Sequence, residues 1–112
     1  MTTANVQAFK TSQGFNSISI VGRRWFQRSY GNTYNTVEIE IFTDAGVFEI
    51  SLPMEYGYDD YYLQRAFIAL RDDGWLNITR HSNGSYNTPN WSEREALGIH
   101  HHAIDVNRKK DL

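Results

Sequence analysis

The densest run of side chains able to do chemistry is Arg23-Arg24-Trp25-Phe26-Gln27-Arg28-Ser29-Tyr30-Gly31-Asn32-Thr33-Tyr34. Arginine forks grip phosphate oxygens, aromatic faces stack on bases, and amide side chains read base edges. A strand ending in a glycine-containing turn would present all three together. Arg24, Arg28, Tyr30, Asn32 and Tyr34 are therefore the candidate ligand-binding residues of this run. The same residues also admit a plainer reading, in which Trp25 and Phe26 are strand packing and the arginines balance Glu38, Glu40 and Glu49.

A second basic cluster, Asn107-Arg108-Lys109-Lys110, adds Arg108 and Lys109 as candidates that close over an anionic ligand, with a solvated terminus as the alternative. Histidines at His81 and from His100 to His102 bring metal chemistry into view, since His100 and His102 share a face on a strand and Asp105 or His81 could complete a set. No H-E-x-x-H or comparable spacing supports a metal, and none is expected. The stretch Tyr56-Gly57-Tyr58-Asp59-Asp60-Tyr61-Tyr62 joins rings to two carboxylates before a helix. Carboxylates there repel phosphate, so they would hold a ribose hydroxyl, contact a second subunit, or simply favour the helix start. For nucleophilic catalysis the chain has no G-x-S-x-G, P-loop or Rossmann fingerprint, so no catalytic residue is assigned and a binding protein is expected rather than an enzyme.

Composition narrows the partner. The 112 residues suit one domain, 1–112, and carry 40% hydrophobic and 14% aromatic residues, enough for one modest core. A formal charge of −2 argues against coating a long duplex, whereas the local arginine clusters suit a small anion. The absence of cysteine removes disulfides, thiolate metal sites and cysteine nucleophiles. Met1 to Lys10 lacks the apolar core of an export signal, and no apolar run approaches membrane-spanning length, so the expectation is cytosolic with no membrane partner. Matches to N-x-S/T at Asn77, Asn83 and Asn90 are then chance.

The elements that must position these groups are legible in the alternation. Val37, Ile39 and Ile41 alternate with Glu38, Glu40 and Phe42, and Phe48, Ile50 and Leu52 alternate with Val47, Glu49 and Ser51. Pairing Phe42 with Val47 across the turn at Thr43–Gly46 places Ile41 opposite Phe48, Ile39 opposite Ile50 and Val37 opposite Leu52. It also places Glu40 opposite Glu49, which requires a cation, from a neighbouring Arg or Lys or from a metal. Phe15 to Phe26 reads as a strand with a bulge or bend at Gly22, and Val6 to Thr11 as an earlier strand. A helix is predicted over Asp59–Asp73, its stripe being Tyr62, Leu63, Ala66, Phe67 and Leu70, with Arg65 among the residues away from it. Leu76–Arg80 is a short strand. Ser92 and Glu95 form a capping box opening a brief helix that ends near Gly98, and His100–Val106 returns as a strand. The expected fold is α+β, an antiparallel sheet with one main helix on a face and a short second helix.

The strings FNSISIVGRRWFQRSYGNTYNTVEIEIF, EYGYDDYYLQRAF and NRKKDL resemble a group of small phage-encoded proteins, the anti-Thoeris sponges, which sequester cyclic ADP-ribose-type immune signals. The similarity spans Phe15 to about Leu70 and the final residues, with 82–102 unmatched. The chain departs from the family pattern at Asn35, where that pattern has His, and at Asp59, Asp60 and Tyr61, where it has Gly-Asp-Gln. The resemblance implies a compact α+β protein of the host cytosol. It would assemble into homo-oligomers and bind a nucleotide signal, of cyclic ADP-ribose or cyclic oligonucleotide type, without turnover or cofactor, with Arg108 and Lys109 in the matching tail. The other function class that fits these residues is a small nucleic-acid-binding protein or a protein inhibitor of a host enzyme.

Overall fold

Complementary alternation in two neighbouring runs builds the hairpin at the centre of the sheet. The computed structural model describes residues 6–112; the first half of the Met1–Lys10 stretch, read above for an export signal, lies outside them. Strands β1 (Ser17–Gln27), β2 (Asn32–Thr43) and β3 (Gly46–Tyr56) are followed by helix α1 (Tyr61–Asp72). Short strands β4 (Thr79–Arg80) and β5 (Tyr86–Asn87), helix α2 (Trp91–Leu97) and strand β6 (Ile99–Val106) complete the order. The long strands form one sheet, β3-β2-β1-β6, and β4 and β5 pair separately. The α+β arrangement is as expected, with β1, β2 and β3 antiparallel. The sheet is nevertheless mixed, because the chain crosses back through α1 and α2 and enters β6 parallel to β1 at the level of Ile18.

The hairpin register is the one the alternation requires: Ile41 faces Phe48, Ile39 faces Ile50 and Val37 faces Leu52. Ile18 and Ile20 of β1 extend the same face, and α1 lays Tyr62, Leu63, Ala66, Phe67 and Leu70 over it, all buried. Among the described residues, no helix lies on the other face of the sheet. Among the described residues, no helix is long and apolar enough to cross a membrane.

Four local expectations are corrected. Val6–Phe9 is a 3-10 turn, and only Lys10 bridges, to Leu76. Of the Leu76–Arg80 segment, Thr79–Arg80 is strand, pairing with β5. Gly22 is no bulge: it pairs regularly with Val37 and Ala103, and a Cβ there would sit 2.3 Å from Cδ2 of Tyr62. Glycine is required because the tyrosine ring occupies the space a side chain would take. The capping box is formed two residues earlier than read, by Asn90 and Glu93, with Gly98 ending the helix at φ 76° as expected.

Candidate functional site

Strand alternation divides the candidate residues between the two faces of the sheet. Trp25 pairs with Tyr34, and Gln27 with Asn32, on the open face; Arg24 pairs with Asn35, and Phe26 with Thr33, on the face that carries α1. Arg24 and Tyr34 are therefore not brought together. Arg28 and Tyr30 lie in the turn between β1 and β2, where Tyr30 is 76% exposed.

Beyond the N-terminal end of α1, the ends of β1, β2 and β6 leave a solvent-open cavity of about 420 Å³. Arg24, Arg28, Phe26, Asp59, Asp105 and Asn107 contribute to its wall. Arg24 Nε donates to Asp105 Oδ1 at 2.8 Å and Nη1 donates to the Asp59 carbonyl at 3.2 Å. Its hydrogen bond to Asp105 holds the guanidinium above its ordinary pKa. Arg24 is thus a wall element already engaged by two acceptors, and not a free phosphate ligand. Arg28 makes no ion pair among the described residues, and Phe26 presents an apolar ring that is 53% exposed. Asp59 adopts φ 47°, a left-handed conformation uncommon for a residue with a side chain. Such strain clusters at ligand sites, where surrounding contacts hold it in place; here the Arg24 hydrogen bond is one of those contacts.

The C-terminal segment reaches this cavity through Asn107, but its cations turn elsewhere. Arg108 Nε is 3.1 Å from Asp111 Oδ2, and Lys109 begins an exposed 3-10 turn. Neither forms part of the cavity wall. Asp59 is one of the two carboxylates the sequence offers to a ribose hydroxyl, whereas the contributions of Phe26 and Asp105 escaped sequence reading. Phe26 and Arg24 share a face by simple period-two counting, but Asp105 joins them only through the β6 pairing.

On the open face, Tyr56, Tyr34, Trp25 and Val106 form one row across all four strands. Trp25 and Tyr34 stack with ring centroids 5.8 Å apart, Tyr34 meets Tyr56 edge-on at 5.9 Å, and Tyr58 extends the row at 5.3 Å from Tyr56. Asn32 Nδ2 lies 3.5 Å from the Tyr34 hydroxyl. Beside this row, Glu40 faces Glu49, as the register requires. The expected cation is not supplied: β1 places Ser19 beside Glu40, and its open-face arginine, Arg23, stands two rungs away opposite Thr36. Among the described residues neither carboxylate has an ion pair.

Arg65 also overturns expectation, being buried rather than turned to solvent. It donates to Asn35 Oδ1 at 2.8 Å and to the Pro53 carbonyl at 2.8 Å, and its Nε is 3.2 Å from Glu55 Oε2. The pairing irregularity between Asn35 and Val37 frees that stretch of β3 to turn its polar groups toward the helix. Asn35 is 1% exposed and its Nδ2 has no partner. Tyr61 donates to Glu55 Oε1 at 2.9 Å, which holds its hydroxyl above the ordinary pKa.

The histidines do not assemble a metal set. His100 and His102 sit on the open face beside Ser19 and Val21, Asp105 is on the opposite face with Arg24, and His81 lies between β4 and β5. Among the described residues no cluster of three His, Cys, Asp or Glu could hold a metal ion. His101 instead places Nδ1 2.9 Å from the Tyr62 hydroxyl, and partial burial, with Arg94 nearby, holds its ring below the ordinary histidine pKa. No protein-family model, curated protein or solved structure matches this chain.

Proposed function

We propose that the protein binds a small nucleotide-type ligand, of the cyclic ADP-ribose class, in the cavity at the Phe26–Thr33 end of the sheet and holds it without turnover. The observation that carries this reading is the juxtaposition in one solvent-open cavity of an arginine that makes no ion pair among the described residues, an exposed aromatic ring and a carboxylate-bearing turn. Each matches one part of a nucleotide. Arg28 meets the pyrophosphate with a charged fork, Phe26 offers a flat apolar face to the base, and Asp59 accepts from ribose hydroxyls. Tyr30, two residues from Arg28 and exposed, is placed to close over the ligand from the turn. A cavity of about 420 Å³ lies in the range that holds a ligand of this size. The sponge role is the one the family resemblance implies.

Calorimetric titration with cyclic ADP-ribose isomers, cyclic dinucleotides and a short single-stranded oligonucleotide tests the reading. Binding of a cyclic nucleotide, recovered intact, is the expected result. Arg28→Ala should weaken it about ten- to a hundredfold, the equivalent of a charge-assisted contact of about 1.5–3 kcal/mol. The melting temperature of the ligand-free variant should not change, because Arg28 is exposed. Arg108→Ala, which removes a cation outside the cavity wall, serves as the control. If wild type binds none of the cyclic nucleotides the reading fails, and binding of the oligonucleotide alone transfers the function to nucleic acid.

A further inference from the structure

We propose that the open face of the sheet is a dimer interface, occupied by the same face of a second copy of this chain. The inference does not rest on the nucleotide reading: the cavity lies at the end of the sheet, and of the aromatic row only Val106 also lines it. It starts from two features that one chain leaves unresolved. Among the described residues no element covers the aromatic row Tyr56–Tyr34–Trp25–Val106, with Tyr56 49% exposed. Among them, too, the facing carboxylates of Glu40 and Glu49 have no ion pair.

One operation covers the aromatic row and gives each carboxylate a hydrogen-bond donor. A two-fold axis lying between the sheets and parallel to the strands sets β3 over β6 and β2 over β1 while keeping every cross-strand row level, which is aligned sheet packing. The row Glu49–Glu40–Ser19–His100 then meets its own reverse. Glu49 faces His100 of the second copy, whose imidazole donates a hydrogen bond to the carboxylate, and Glu40 faces a serine hydroxyl. In the next row, Ser51 faces His102 of the second copy. The aromatic row likewise brings Tyr34 onto Trp25 and Tyr56 onto Val106. Arg23 comes to Thr36 of the second copy, one rung from its Glu38, repeating across the interface the neighbours it has within the sheet.

An axis perpendicular to the strands at the middle of the sheet would instead reverse the order of the rows and set the row of Glu40 and Glu49 against the aromatic row. The face is thus self-complementary in one orientation. Four strands about 4.8 Å apart and about ten residues long give a footprint of about 600 Å² per copy. Two copies together bury about 1,200 Å², the lower bound for a specific interface. Single-stranded nucleic acid, the other partner that aromatic sheets take, is disfavoured by Glu38, Glu40 and Glu49 in the middle of the face.

Sedimentation equilibrium at tens of micromolar protein tests the proposal. Wild type should be dimeric. Both positions are exposed; His100→Glu sets two carboxylates in opposition across the two-fold and Glu49→Lys replaces the acceptor of the His100 hydrogen bond with a donor, so each should weaken the dimer about tenfold or more. The double variant should recover the dimer, because the new lysine faces the new carboxylate. Circular dichroism confirms that each variant is folded, and Tyr34→Asp provides a second, aromatic disruption on the same face. A monomeric wild type overturns the proposal, and tryptophan quenching by an oligothymidine would then assign the face to nucleic acid. A dimer indifferent to all these substitutions also overturns it, by placing the interface elsewhere.

Discussion

At Gly22 the backbone of β1 runs directly beneath the ring of Tyr62, and the identity of one residue decides whether α1 can lie on the sheet. Gly22→Ala would place a methyl carbon 2.3 Å from Cδ2 of Tyr62, so helix or strand must shift. The expected cost is about 1–3 kcal/mol, the usual penalty for overpacking a core. Urea denaturation followed by fluorescence measures it, and an unchanged midpoint would mean that Tyr62 can rotate away freely. The sequence marked Gly22 as unusual but attributed it to a bulge, because a glycine in a strand does not reveal what sits above it. Arg65 was opaque for a similar reason. Helical periodicity assigns it to the flank of the apolar stripe, and its acceptors, the Asn35 side chain and the Pro53 carbonyl, are gathered only by the irregular pairing of β2 with β3.

Elements whose sequence patterns constrain each other were the ones that could be read. The β2–β3 register followed from two complementary alternations, since a slip of one residue would turn every isoleucine of β2 to solvent. Ile39 lies at the centre of that face, 1% exposed. Ile39→Ala should therefore cost about 2–5 kcal/mol by thermal or chemical unfolding, and a loss well under that range would indicate that the neighbouring Ile50 and α1 collapse into the space. The start of α2 was misread by two residues, as Ser92 with Glu95. Asn90 with Glu93 and Ser92 with Glu95 both fit a capping box, and Asn90 prevails, its side chain accepting from the Glu93 N–H at 2.9 Å while Arg94 anchors to the Pro89 carbonyl. The parallel placement of β6 could not be read at all. Turn chemistry reports only on strands adjacent in sequence, whereas β6 reaches β1 by a long crossover.

That crossover governs the molecule as a whole. It brings Asp105 to Arg24 and Asn107 to the cavity, whereas the sequence pointed, at this end of the chain, to Arg108 and Lys109. It also closes the core, since Ile99 is buried beside Ile18. Deleting residues 99–112 should abolish cooperative unfolding in urea, monitored by near-ultraviolet circular dichroism. A sharp transition in the truncated chain would show that β1–β3 and α1 form a sufficient core. The pairing of β1 with a strand some eighty positions later also has a consequence during synthesis. As β1 leaves the ribosome, β2 and β3 soon follow and pair on one side of it, while its other edge stays vacant until β6 is translated. Throughout that interval the nascent protein presents an unpaired strand bearing Ile18, Ile20 and Trp25. The time taken to translate residues 57–106 is therefore the least time for which that edge stays open.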